Sequence, residues 1–82
     1  MIGVNSMDIA RYVIEITHHA YLQALERGIH PDLIEEALLK GEKRRYAKHG
    51  IKIINKGAKR TIICVGQIIS TTIKIFTIEE GN

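Results

Sequence analysis

Thr17-His18-His19-Ala20-Tyr21-Leu22-Gln23-Ala24-Leu25-Glu26-Arg27-Gly28-Ile29 reads as one short helix. Thr17 can accept a hydrogen bond from an orphan first-turn N–H, and Gly28 can take the left-handed conformation that ends a helix, with Ile29 folding back onto it. His18, Tyr21, Leu22 and Leu25 make an apolar stripe; His19, Gln23 and Arg27, four apart, make a second stripe of imidazole, amide and guanidinium. The face this helix turns to the rest of the chain governs fold and function together.

Before it, Arg11 to Ile16 is β-branched and predicts a short strand, with a helix from Asp8 as the alternative, and residues 1–7 show no period and predict a loose end. After it, Pro31 suits a first helical position, Asp32 complements the helix dipole, and Leu33, Ile34, Ala37 and Leu38 form a stripe that Gly41 ends after Lys40. His30 stands at the cap, where Ser or Asp would be usual.

From Glu42 the period changes to two. His49-Gly50 and Gly57-Ala58 read as two-residue hairpin turns, so Lys48 would pair with Ile51 and Lys56 with Lys59. That register puts Tyr46, Ile51, Ile53, Ile62 and Cys64 on the helix side with Arg44, Asn55 and Arg60, and puts Lys43, Arg45, Lys52, Lys56 and Lys59 on the other side with Ile54, Ile63 and Val65. After a loose connection over Gly66 to Ser70, a last strand over about Thr71 to Ile78 would show Ile73, Ile75 and Thr77 on one face and Lys74, Phe76 and Ile78 on the other. The expected fold is α+β: one domain, 1–82, with two N-terminal helices packed on an antiparallel meander of three or four strands and no crossover connection.

Composition bounds the function classes. The 82 residues are 45% hydrophobic and 26% charged, ordinary for a folded domain but short enough to leave a thin core, so a second subunit or partner is expected. The single cysteine, Cys64, permits no internal disulfide, and no apolar run reaches the roughly 20 residues of a bilayer span. A cytoplasmic protein with no membrane role is expected. Net charge is +3, but nine basic residues against Glu42 alone fall between Lys40 and Arg60, leaving three basic residues against eight acids elsewhere. Such segregation suits phosphates or an acidic partner; its alternative is a solvated strand edge kept soluble by charge.

Three constellations follow. His19, Arg27, Arg60, Arg44 and Thr77 would surround one concave spot with donors, as metal-free RNA cleavage requires: a base for the 2′-hydroxyl, fixed positive charge for the phosphorane and an acid for the leaving oxygen. The structural alternative has His19 hydrogen-bonding a strand start and Arg27 pairing with Glu26, Glu35 or a helix-terminal carbonyl. The basic run, with Arg44, Arg45, Lys43, Lys52, Lys56 and Lys59, predicts phosphate contact, while Tyr46 on the core side would be removed from base stacking. A metal site from His18, His19, His30 and His49 is disfavoured because adjacent helical histidines diverge by about 100°, and no cofactor is expected. Cys64 reads as a buried strand residue whose thiolate is suppressed.

Thr17-His18-His19-Ala20, Glu26-Arg27-Gly28-Ile29, Ile34-Glu35-Glu36-Ala37-Leu38 and Lys74-Ile75-Phe76-Thr77-Ile78 resemble the domain-of-unknown-function family 4258, over about Ile14 to Ile78. That family looks related to the RelE and BrnT type toxins, small ribonucleases held in check by an antitoxin. The resemblance implies a RelE-like fold, with the motif histidine at His19, the helix arginine at Arg27, a strand-opening basic residue at Arg60 and a supporting threonine at Thr77. Members commonly carry an arginine where this chain has Gln23. Two function classes stand: a toxin-like, RNA-directed protein acting as a metal-independent endoribonuclease on mRNA, with RNA or the ribosome and an antitoxin-like protein as partners; or a non-catalytic interaction module that pairs with itself as a homodimer, or with another protein, through Ile54, Ile63, Val65 and Phe76.

Overall fold

A computed structural model describes residues 11–81. The expected loose end at 1–7, and Asp8 as a helix start, lie outside the described residues.

The elements are β1 (Val13–Ile16), α1 (His18–Glu26), α2 (Pro31–Lys40), β2 (Glu42–Tyr46), β3 (Gly50–Lys56), β4 (Thr61–Ile69) and β5 (Thr72–Gly81). The fold is α+β, with two helices on one side of a five-stranded mixed sheet of order β1-β5-β4-β3-β2. The sequence-based expectation of three or four antiparallel strands behind N-terminal helices is corrected in two respects. A strand precedes the helices, and it lies parallel to β5, Ile14 beside Ile73 and Ile16 beside Ile75. The chain must therefore cross from one edge of the sheet to the other, because Ile14 and Ile16 are sheltered against the core only when β1 joins the strand that carries their partners.

Local chemistry sets the helix ends as anticipated. The Ala20 amide donates to Thr17 Oγ1 at 3.1 Å. At the other end the Gly28 amide donates to the Leu25 carbonyl and the Ile29 amide to the Ala24 carbonyl, with Gly28 at φ +71° and Ile29 fully buried. In α2, Pro31 opens the helix, His30 makes no side-chain cap, and Ile34, Ala37 and Leu38 are buried.

The face of α1 is the reverse of the expected one. Ala20 and Ala24 are buried against β5, while Tyr21, Leu22 and Leu25 are 39%, 45% and 46% exposed. Small side chains let the helix axis come close to a flat strand, and that proximity excludes the larger apolar stripe.

Both outer turns of the meander are longer than expected. Ala47, Lys48 and His49 make the first, with Ala47 at φ 54°, so Tyr46 stands opposite Gly50 and Arg45 opposite Ile51. This odd displacement of register turns β2 over: Lys43 and Arg45 lie on the helix side, and Arg44 and Tyr46 on the open side. Gly50 is needed in the strand rather than the turn, since a Cβ there would lie 2.6 Å from the Tyr46 ring. Gly57 to Arg60 make the second turn, closed by the Gly57 amide donating to the Arg60 carbonyl at 2.7 Å. Here Lys56 pairs with Thr61 and Asn55 with Ile62, an even displacement that leaves Ile51, Ile53, Ile62 and Cys64 buried together as anticipated.

The predicted loose stretch 66–70 is instead the end of β4, and only Ser70 and Thr71 turn the chain. Between Val65 and Gly66 the pairing skips a residue of β5, which accommodates Phe76 as a bulge. Ile78 thereby joins Ile73 and Ile75 in the core, and Thr77 moves to the open face beside Val65, correcting the strict alternation expected for this strand.

Candidate functional site

His19, Gln23 and Arg27 occupy one flank of α1, but they are not a free polar face. His19 is exposed, whereas Gln23 is half-buried, with its Oε1 buried and without a hydrogen-bond partner. Arg27 Nη1 donates to the Ile78 carbonyl at 2.7 Å, which ties the last turn of α1 to β5.

Arg60, which ends the β3–β4 turn, reaches the same corner. Its Nε and Nη2 donate to the Glu80 carboxylate at 2.8 and 3.0 Å, its Nη1 to the Gly28 carbonyl at 2.9 Å and its Nη2 to the Arg27 carbonyl at 3.4 Å. A guanidinium thus sits where a helix C-terminus presents unpaired carbonyls and the negative end of its dipole. The hydrogen bond from Arg60 holds the Glu80 carboxyl below its ordinary range, and the same bond raises Arg60. Glu80 was not singled out from the sequence. The only signal for it is its place in the Glu79-Glu80 pair, where strand alternation sends one carboxylate to each face.

The five-residue constellation is therefore only partly assembled. Arg27 and Arg60 converge, their donors engaged by carbonyls and Glu80. Arg44 lies on the open side of the edge strand β2, paired to Glu42 at 3.0 Å, and Thr77 lies on the open side of β5, so the sheet separates both from the arginine corner. Beside that corner a hollow of about 210 Å³ is lined by Leu33, Glu36, Asn55, Lys59 and Arg60 among others. Glu36 makes it less suited to a phosphate than the expected ring of donors.

A larger apolar cleft of about 430 Å³ lies between β1 and α2, bounded by Ile14, Ile16, Tyr21, Ile34, Leu38 and Leu39. Among the described residues no three His, Cys, Asp or Glu side chains group closely enough to hold a metal ion. Cys64 is buried in apolar company that pushes its thiol up to about 12, too high for a nucleophile at neutral pH.

The basic run, by contrast, folds into one continuous ridge. Lys40 at the end of α2, Lys43 and Arg45 on the helix side of β2, Arg44 on its open side beside Lys52 of β3, and Lys48 at the hairpin tip surround the β2 edge. All but Lys43 are exposed; Lys43 is half-buried, and its Nζ donates to the Leu39 carbonyl at 3.2 Å. Burial lowers the pKa of Lys43. Tyr46 stands on the open face of the same strand, 44% exposed, so its assignment to the core is corrected. Lys56 continues the open side along β3, and Lys59 lies in the β3–β4 turn. No helix among the described residues is long and apolar enough to cross a membrane. Comparison with protein-family models, with curated proteins and with solved structures finds no match to this chain.

Proposed function

We propose that this chain is a toxin-like, RNA-directed protein of the cytoplasm that holds RNA by its phosphates along the β2 edge and the β2–β3 hairpin. The observation that carries this reading is the ridge just described. It gathers Lys40, Lys43, Arg44, Arg45, Lys48 and Lys52 around one strand, where Glu42 is the single acid and is already paired with Arg44. Exposed cations at the spacing of a strand attract a polyanion without sequence preference, and displaced counterions make such binding fall steeply as salt rises. The turned-over register adds Tyr46, whose ring lies over Gly50, next along the open face from the Arg44–Lys52 pair, and offers a surface for a base. The test is fluorescence anisotropy with single-stranded and duplex RNA over a range of salt. Affinity that does not change with salt, or is unaltered in Arg45→Glu/Lys48→Glu, rules the ridge out as the RNA site.

A second reading is metal-independent cleavage of mRNA, free or on the ribosome, with His19 as acid or base and Arg27 and Arg60 stabilising the phosphorane. It is favoured by the Arg60 guanidinium reaching the Arg27 backbone carbonyl, which puts the two residues at one corner. In this arrangement Arg27 must give up the Ile78 carbonyl, and Arg60 the Glu80 carboxylate and its carbonyls, for phosphate oxygens when substrate arrives. Expression of the wild type beside His19→Ala and Arg27→Ala is the test: equal growth and intact mRNA in all three cultures remove the catalytic reading and leave binding alone. An antitoxin-like partner fits the same ridge if it is acidic, and it would then compete with RNA.

A further inference from the structure

The central strand β4 is apolar throughout its core face and, apart from Thr61 and Gln67, apolar on its open face as well. Ile62, Cys64 and Ile68 point into the core under the helices, while Ile63, Val65 and Ile69 point to the open side, flanked by Ile54 on β3 and Phe76 on β5. A strand exposed to water on one face ordinarily alternates apolar with polar residues, and one that is apolar on both faces is ordinarily covered on both. Ile69 is 55% exposed and Phe76 38%.

We propose that this open face is covered by a second copy of the chain, sheet against sheet, with the two-fold axis running along β4. The distribution of charge on the face selects both the occupant and the axis. On the β3 side Lys52 and Lys56 make no ion pair among the described residues, Arg44 being taken up by Glu42; on the β5 side Glu79 makes none, Lys74 lying 3.7 Å from Glu15. A two-fold axis in the plane of the face and along β4 lays the β3 half of one copy over the β5 half of the other. Glu79, level with Ile54 and Ile63, then comes between Lys52 and Lys56 of the facing copy, and this happens twice. An axis across the strands would instead lay lysines over lysines. Val65 lies on the axis strand, so its two copies approach each other at the middle of the contact.

The contact is modest in size. Five strands at roughly 4.8 Å spacing and about seven residues of length give a face of roughly 550 Å² per copy, at the lower end of what holds two proteins together. The association is accordingly reversible. It leaves the outer edge of β2, with Lys43, Arg45 and Lys48, in solvent but covers Arg44, Tyr46 and Lys52, so the pairing does not depend on the RNA reading, and the paired form would hold RNA by the outer edge alone.

Sedimentation equilibrium of the full chain, from about 5 µM to about 1 mM, decides it. The weight-average mass should climb from the 9.3 kDa of one chain toward twice that value. Val65→Glu, which sets two carboxylates against each other, should stay at the monomer mass while keeping the circular dichroism spectrum. Lys52→Glu/Lys56→Glu should weaken association at least about ten-fold, and adding Glu79→Lys should restore it to within about three-fold of wild type. A wild type that remains monomeric throughout overturns the proposal. So does a Val65→Glu variant that dimerises as the wild type does, or a charge-exchanged triple variant that fails to recover. A monomer in which Val65→Glu abolishes RNA affinity would give the face to nucleic acid and overturn it equally.

Discussion

Arg60 grips Glu80 with two hydrogen bonds, Nε to Oε2 at 2.8 Å and Nη2 to Oε1 at 3.0 Å, and with its remaining Nη1 holds the Gly28 carbonyl at 2.9 Å. One side chain thus joins the start of β4 to the end of β5 and to the end of α1. Arg60→Ala should lower Tm by about 3–6 °C, and Arg60→Lys by less, because an ammonium cannot span all three partners. The pH dependence has a defined sign. Glu80 is held below its ordinary value near 4.5, so the pair contributes its full stability above that pH and loses it as pH falls through the depressed folded value. Thermal melts from neutral to acid pH should show this loss in the wild type and a flatter acid limb in Glu80→Gln.

Cys64 should resist alkylation. With its thiol raised to about 12 and no exposed surface, iodoacetamide at mildly alkaline pH should label it only on unfolding. Mass spectrometry with and without denaturant checks this, and ready labelling of the native chain would show that the sheet opens far more often than its packing implies.

Two glycines should differ in what they tolerate. Gly66 adjoins the β5 bulge, and a Cβ there would run into the Lys74 carbonyl, so Gly66→Ala should cost roughly 2–3 kcal/mol in urea titration. Gly28 has open space around it but a φ of +71°, so Gly28→Ala should cost about 1 kcal/mol, and Gly28→Asn less.

The ridge on β2 makes a quantitative statement about salt. Removing Arg45 or Lys48 should weaken RNA binding for every sequence alike and reduce the slope of log affinity against log salt by about 0.7–1 per cation removed. Arg60→Ala should leave that slope unchanged, since its guanidinium is already committed to Glu80 and two carbonyls. Measuring the three variants side by side separates the ridge from the arginine corner.

Where the sequence could be read correctly, the cause was local. Thr17, Gly28, Pro31 and Gly41 mark the helix ends because caps depend on the chemistry of one or two residues. What could not be read depends on contacts remote in the chain. The buried face of α1 follows from how near a helix can come to β5, which favours Ala20 and Ala24 over Tyr21, Leu22 and Leu25. The orientation of β2 turned on whether Gly50 served the turn or the strand, and an alanine in the left-handed region at Ala47 freed it for the strand. The same applies to the site: Arg27 and Arg60 do meet, but the carboxylate that occupies Arg60 lies on a strand whose phase is altered by the Phe76 bulge.

The parallel pairing of Val13 with Thr72 has a consequence for how the chain comes into being. During synthesis β1 and α1 emerge first, yet the strand that both require, β5, emerges last. Until it does, Ile14, Ile16, Ala20 and Ala24 have nothing to rest against, while the β2–β3–β4 meander with α2 can already pair with itself. Completion of the molecule should thus be a late event governed by closure of a loop almost as long as the domain, and slow for its size. A nascent chain arrested before Thr72 should leave β1 and α1 open to protease, and release of the ten residues of β5 should protect both elements at once.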